Sequence, residues 1–402
     1  MQNKLKVNGY STRDILIVLG VILLSKSLYY ETYGGNYLLI AFFFLLAFIV
    51  IPNIKNFKVD RIILIYSLGL LALILLNLET NNNQLLVLFI RLLIGILIIH
   101  LISFERFSIA FIRVMIVLSL FSWFAIIIVQ FNINSPLPPL TSMHYIEEVQ
   151  GRILRNFIVF GVDETFVTYN ILRASGLWWE PGAFQIFVNL AFAFSLINNT
   201  ISKRTYTIFL ITILATMSTT GVIVFGLLSI IYFKKYFIVT SPILFLIPIF
   251  IVLIGFLVAA PEIYEKLTSR SSLSRYHDVL ISINMFAENI LLGYGYGTQV
   301  EKAIPYGKEL LGLELYNMMP PSGSDGITMF IAQVGIFGIF FIYPLLFPMY
   351  CQHMKLYSRL LISLSLFLLF NTQYFTNMLI FTLLTFYGLI KYKNMDNDLK
   401  EQ

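Results

Sequence analysis

Charged side chains are scarce in this sequence. Only 12% of its 402 residues are Asp, Glu, Lys or Arg, against roughly a quarter in soluble domains. Hydrophobic residues make up 58%, and the mean hydropathy is +0.83. One aqueous core cannot hide that much apolar surface, because a folded chain of this size still exposes area to water. Lipid is the expected solvent for much of it. Cysteine is nearly absent: Cys351 stands alone, which excludes an intrachain disulfide and a cysteine-rich metal site. The four histidines, His100, His144, His277 and His353, lack HxxH or HExxH spacing, so no metal site is expected. A leader cleavage site is also lacking. The first apolar run is followed at once by another and reads as an anchor. The net charge of +6 then speaks to topology, not to nucleic-acid binding.

Long apolar runs are what the sequence has in plenty. A membrane-crossing helix takes roughly 20 apolar residues, because lipid cannot satisfy bare backbone groups. The expected class is all-α: one polytopic membrane domain over 1–402 with about twelve spans. They fall near 14–30, 36–52, 61–78, 84–102, 107–131, 181–198, 205–219, 220–233, 236–259, 326–349, 360–375 and 377–390. The uncharged patch Ser218-Thr219-Thr220-Gly221 predicts a turn between two helices rather than one overlong helix. With the N-terminus inside, the inner segments collect Lys55, Arg61, Arg106, Arg113, Lys203, Arg204, Lys234, Lys235, Lys355, Arg359 and Lys391, while the short outer loops carry no Lys or Arg. That asymmetry puts both termini in the cytoplasm.

Two long loops, 132–180 and 260–325, then face outward. Each mixes charge, aromatics and proline, and loops of such length are usually functional or disordered. Their aromatic content argues against disorder. In the second, Tyr276, Val279, Leu280, Ile283, Phe286, Ala287 and Ile290 recur at helical spacing. They predict an amphipathic helix over about Ser274–Glu288, lying on the membrane surface or capping a cavity.

Three places hold residues suited to chemistry. In Arg173-Ala-Ser-Gly-Leu-Trp-Trp-Glu180-Pro181-Gly182, an arginine, two tryptophans and a glutamate meet at the start of a span. This reads either as a reactive cluster or as an interfacial tryptophan anchor with Glu180 capping the helix. The stretch Arg270-Ser-Ser-Leu-Ser-Arg275-Tyr276-His277-Asp278 reads either as an anion site, since guanidinium forks bind diphosphates bidentately, or as a solvated face with an Arg275–Asp278 pair. Arg275 and His277 share a face only if the helix begins after them. The run Gly293, Gly295, Gly297 follows a helix rather than a strand, and reads as a helix-ending turn, not a nucleotide loop. Arg91 lies inside the fourth span. A mid-membrane arginine costs at least ~3 kcal/mol and marks a cavity or partner, unless it snorkels outward.

The R-x-x-G-x-x-x-E-P-G pattern from Arg173 to Gly182 resembles the outer-loop motif of bacterial O-antigen and capsule polymerases (the Wzy type, in the O-antigen ligase superfamily). Arg275 through Phe286-Ala-Glu288-Asn-Ile-Leu-Leu-Gly293-Tyr-Gly295 resembles that superfamily's second-loop segment. Gln333-Val-Gly335-Ile-Phe-Gly338 resembles the span that follows, and Ser218-Thr-Thr-Gly221 the polar turn. Thr219 and Thr220 stand where many members carry an arginine, and Ser322-Gly-Ser324 where relatives often show His-Asn.

The resemblance implies a glycosyltransferase of the outer face of the cytoplasmic membrane. Its donor and acceptor are undecaprenyl-diphosphate-linked oligosaccharides, its other partners the bilayer and a chain-length regulator, and it takes no cofactor. Arg173 and Arg275, with Arg270 and Arg91 as secondary candidates, would hold the diphosphate. Glu180, or else His277, would be the general base. Two rival readings stand beside this one. A ligase would pass finished glycan to another acceptor and use a second-loop histidine such as His277. A flippase for lipid-linked sugars would also have about twelve spans, but usually places polar groups near the midplane.

Overall fold

A computed structural model describes residues 11–32, 34–57, 59–77, 80–131, 154–157, 160–166, 171–178, 180–237, 270–298, 302–312, 326–372 and 378–400. The chain is mostly helical. Its first half runs α1 (Thr12–Leu23), α2 (Leu28–Thr32), α3 (Gly35–Val50), α4 (Arg61–Leu75), α5 (Asn82–Leu101) and α6 (Phe104–Gln130). Polar residues just before the apolar runs start four of these helices. Ser11 and Asp14 form a capping box on α1, and Asp60, Asn81 and Ser103 each accept from a first-turn amide, satisfying donors that have no partner inside the helix. Asp14 is fully buried and takes both Nε and Nη2 of Arg106, at 3.0 and 2.5 Å. That ion pair fastens the start of α1 to the start of α6.

After α6 come β1 (Leu154–Phe157), β2 (Phe160–Phe166) and β3 (Ile171–Gly176), an antiparallel sheet in the order β1-β2-β3. The expectation that the long loops hold only short helices is corrected here for the first loop. Val162 and Ala174 are paired and buried, and Phe160 stacks on Phe121 of α6 at 5.6 Å. The sheet thus packs one apolar face onto a helix, as an antiparallel sheet must to be stable. Then follow α7 (Pro181–Ile197), α8 (Lys203–Thr216) and α9 (Thr219–Phe237). α7 is buried along nearly its whole length and forms the centre of the core. The break between α8 and α9 falls where the polar patch predicts it: Met217 is left-handed at φ 48°, and Gly221 N–H donates to Ser218 Oγ at 3.4 Å.

The remaining elements are α10 (Arg270–Glu288), α11 (Ile304–Leu311), α12 (Ile327–Val334), α13 (Gly338–Ile342), a 3-10 turn over Tyr343–Tyr350, α14 (Leu356–Phe370) and α15 (Leu379–Lys400). The amphipathic helix predicted for the second loop is present and begins four residues early. Its inner face packs Ile281 and Met285 against Met329 and Ala332 of α12.

Two predicted spans are corrected. The run 14–30 breaks after Leu24, because Ser25 and Ser27 turn their hydroxyls back onto the carbonyls of Val21 and Leu23, and Lys26 takes φ 54°; such back-bonding competes with the helix ladder. The run 326–349 breaks at Gly335. There φ is 76° and ψ −169°, a combination open essentially to glycine alone, and an added Cβ would strike the carbonyl of Leu291. The expected span 236–259 lies outside the described residues. Among the described residues, two helices, Asn82–Leu101 and Phe104–Gln130, are long and apolar enough to cross a membrane.

Candidate functional site

Arg173 sits in β3, paired across the sheet with Asp163. Its Nε donates to the carbonyl of Thr216 at 3.1 Å, at the C-terminal end of α8, where helix carbonyls lack intrahelical donors and carry partial negative charge. The left-handed Met217 and the bond from Ser218 N–H to Thr216 Oγ1 (3.3 Å) set that turn. Two segments singled out in the sequence, the arginine motif and the Ser218–Gly221 patch, therefore meet. Ser175, two residues along the same strand, is fully buried. Among the described residues its Oγ has no hydrogen-bond partner.

From Arg173 the chain turns sharply into α7. Gly176 takes φ 61°, and a Cβ there would come within 2.8 Å of the Phe184 ring. Trp178 is fully buried, stacks on Phe187 at 4.1 Å and donates its indole N–H to the Ser25 carbonyl at 3.1 Å. The reading of this tryptophan as an interfacial anchor is corrected: it is a core residue that pins the break after α1. Trp179 lies outside the described residues. Glu180 occupies the N-cap position of α7 and is only 8% exposed, yet its side chain makes no cap bond to the first turn. The capping role expected for it is thus not formed. By position alone it stands at the positive end of a helix.

One turn further, Gln185 and Asn189 lie four apart on α7. Asn189 Nδ2 donates to Gln185 Oε1 at 3.0 Å and to the Gly221 carbonyl at 3.2 Å. Both side chains are buried, and among the described residues Asn189 Oδ1 accepts no bond. Gly221 fits closely, since a Cβ there would meet Gln185 at 3.0 Å. The sequence reading passed over this pair. Its signal was legible, because two amides at helical spacing inside an apolar run are costly and mark a polar contact.

Arg91 is 2% exposed, on α5, and donates from Nη2 to the Tyr30 hydroxyl at 3.0 Å. Snorkelling to the headgroups is thereby excluded for it. It has instead a partner on α2, and the Leu28 N–H of α2 bonds the Leu177 carbonyl at 2.8 Å. A short relay so links Arg91's partner helix to the arginine motif.

His277 and Asp278 are buried on α10, whose main packing is against α12 and α11. The helix begins at Arg270, so Arg275 and His277 both lie within it. Positions two apart fall on different faces, and the condition for their acting together is not met. The side chains of Arg270 and Arg275, and with them the Arg275–Asp278 pair, fall outside the described residues. The glycine run is a turn, as expected. Tyr294 N–H and Gly295 N–H bond the carbonyls of Ala332 and Gln333, each at 3.0 Å.

At the end of α10, Glu288 accepts from the hydroxyls of Tyr294 and Tyr306, the latter at 2.7 Å. These two bonds hold its carboxyl below the usual range. Desolvation, then the bond to Glu288, pushes the Tyr306 hydroxyl up to about 12. Compared with known protein families, curated proteins and solved structures, the chain matches none of them.

Proposed function

We propose that the protein is a multispan enzyme of the bacterial cytoplasmic membrane that polymerises undecaprenyl-diphosphate-linked oligosaccharide repeat units at the outer face. The observation that carries this reading is the meeting of Arg173 with the α8–α9 turn, one strand-to-helix corner away from the buried carboxyl group of Glu180. It holds one guanidinium nitrogen at the end of α8, on the strand that leads into the helix whose N-cap is Glu180, and the turn beside it also bonds the buried amide of Asn189. The apolar outer surfaces of α3, α4 and α6 support the membrane placement, since exposed apolar area on this scale marks a lipid or protein interface.

The reaction is a displacement at an anomeric carbon. The acceptor sugar's oxygen forms a bond to that carbon as the bond to the phosphate oxygen breaks, and the electron pair leaves with the diphosphate. Arg173 stabilises the negative charge growing there, the largest help a protein can supply in such a step. Arg275 and Arg270 are assigned supporting roles toward the same headgroup, while Arg91, buried against Tyr30, is assigned to holding α2 beside the motif. Glu180 takes the proton of the attacking hydroxyl, with His277 as the second candidate. A single displacement inverts the anomeric centre.

The test is glycan elongation by purified protein supplied with lipid-diphosphate-linked repeat units in detergent. Arg173→Ala is expected to lower the rate by about a hundredfold or more, and Arg173→Lys to fail as well because the planar fork is lost. A normal ladder of chain lengths from Arg173→Ala overturns the assignment. Transfer of finished glycan without elongation would favour the ligase reading. Movement across sealed vesicles without any glycosyl transfer would favour the flippase.

A further inference from the structure

The outward side of α10 and of the turn that follows it is apolar where a surface in water should be polar. α10 buries Ile281 and Met285 on α12, but Tyr276 and Ile283, seven residues apart and so on one line of the helix, are exposed. That line runs on into the turn after the helix, where Ile290, Leu291 and Leu292 are all exposed, Leu291 by 65%.

This turn is held in place from two sides. Asn77, just past α4, donates its side-chain amide to the carbonyls of Leu292 and Gly293, at 3.2 and 2.9 Å. Ile336, just before α13, donates its N–H to the Ile290 carbonyl at 2.7 Å. Both flanking segments are themselves apolar and exposed: Leu75 and Leu76 at the end of α4, the latter by 66%, and Phe337 and Phe340 on the other side. Three stretches distant in sequence so bring their exposed apolar side chains to one place, and clustered exposed apolar residues mark an interface where scattered ones do not. This cluster continues along α4 through Ile65, 70% exposed, the outer face of an apolar helix. A partner protein would call for a patch bounded by polar residues. This patch merges with the flank of a helix.

We infer that the Ile290–Leu292 turn and the Tyr276–Ile283 line of α10 are immersed in the acyl chains and headgroup boundary of the outer leaflet. This part of the second loop is then seated on lipid rather than suspended in water. This rests on the reading that α4 and its neighbours cross a membrane.

The experiment uses full-length protein in lipid nanodiscs, with Cys351→Ser removing the native thiol. Single cysteines, Leu291→Cys, Ile65→Cys on α4 and Glu309→Cys on exposed α11, carry a nitroxide. Power saturation is read with oxygen, which concentrates in lipid, and with a water-soluble nickel chelate. The expected result is that position 291 matches 65, with strong oxygen relaxation and loss of nickel relaxation, while 309 shows the reverse. If 291 matches 309 while 65 remains lipid-exposed, the loop surface faces water and the inference falls, with the membrane reading intact. If 291 is shielded from both reagents while 65 is not, protein rather than lipid covers the turn, and the inference likewise falls. If 65 itself matches 309, the membrane placement fails and takes the inference with it.

Discussion

At the scale of single residues, three side chains do more than their positions in the sequence suggest. Trp178, at the edge of an apolar run, has the look of a headgroup anchor. In the fold its indole N–H closes the gap left by the Ser25 carbonyl where α1 stops, and Ser25 Oγ in turn accepts from the Ile380 N–H at 3.1 Å. Trp178→Phe keeps the stack on Phe187 and deletes one donor. A buried carbonyl deprived of its partner costs about 1–3 kcal/mol, so the variant is expected to melt several degrees lower in detergent while retaining its helical signal; an unchanged melting temperature would count against this role. Arg91 and Asp14 belong with it, since each is a buried charge whose partner, Tyr30 or Arg106, sits on a different helix. The rule that a buried ionisable group has a reason applies, but the reason lies in a residue far along the chain, so a local reading finds the charge and misses its mate.

Among elements, the legible ones were those with a single dominant signal. Apolar length located α3 through α9 to within a few residues, and the 3.6 period located α10. The polar patch between α8 and α9 was read correctly because a turn needs groups such as Ser218 Oγ to bond the freed amides. Three features escaped. The sheet over 154–176 has strands of four to seven residues, too short to stand out against a polar loop. The breaks after Leu24 and at Gly335 are made by Ser25, Ser27 and a glycine conformation, small residues that leave the hydropathy of the run unchanged.

The tie between α10 and α11 gives this scale its prediction. Glu288 is bound by Tyr294 and Tyr306, which lower its folded pKa relative to the free value of 4.5. A depressed carboxyl pKa contributes stability above the unfolded value and loses it as pH falls through the folded one. Protection factors of the amides over 304–311, corrected for the intrinsic pH dependence of exchange, should therefore be flat above about pH 4.5 and fall on further acidification. Tyr306→Phe should raise exchange already at neutral pH. Protection in the parent protein that stays constant through acidification would refute the tie.

Across the whole molecule, basic residues gather at one end of the helices, where Arg106 meets Asp14 and Lys391 meets Glu105 at 3.7 Å, while the sheet and α11 belong to the two long loops. The proposed orientation puts that charged end in the cytoplasm, by the bias of Lys and Arg toward inner segments. Fusions to alkaline phosphatase after residue 312 should be active, and fusions to a fluorescent protein after residue 400 should glow; the opposite pair of outcomes would turn the molecule over. The outer placement of Arg173 and Glu180 stands or falls with the same experiment.

The bonds from Asn77 to the 292–293 backbone, and from the Asn81 N–H to the Tyr296 carbonyl at 3.0 Å, also set a timetable for synthesis. The end of α4 leaves the ribosome more than 200 residues ahead of the strand of chain that completes it. Until then those amides must be satisfied by water or by a chaperone, and a transcript truncated before codon 290 would yield a product with an open seam there, a natural mark for degradation.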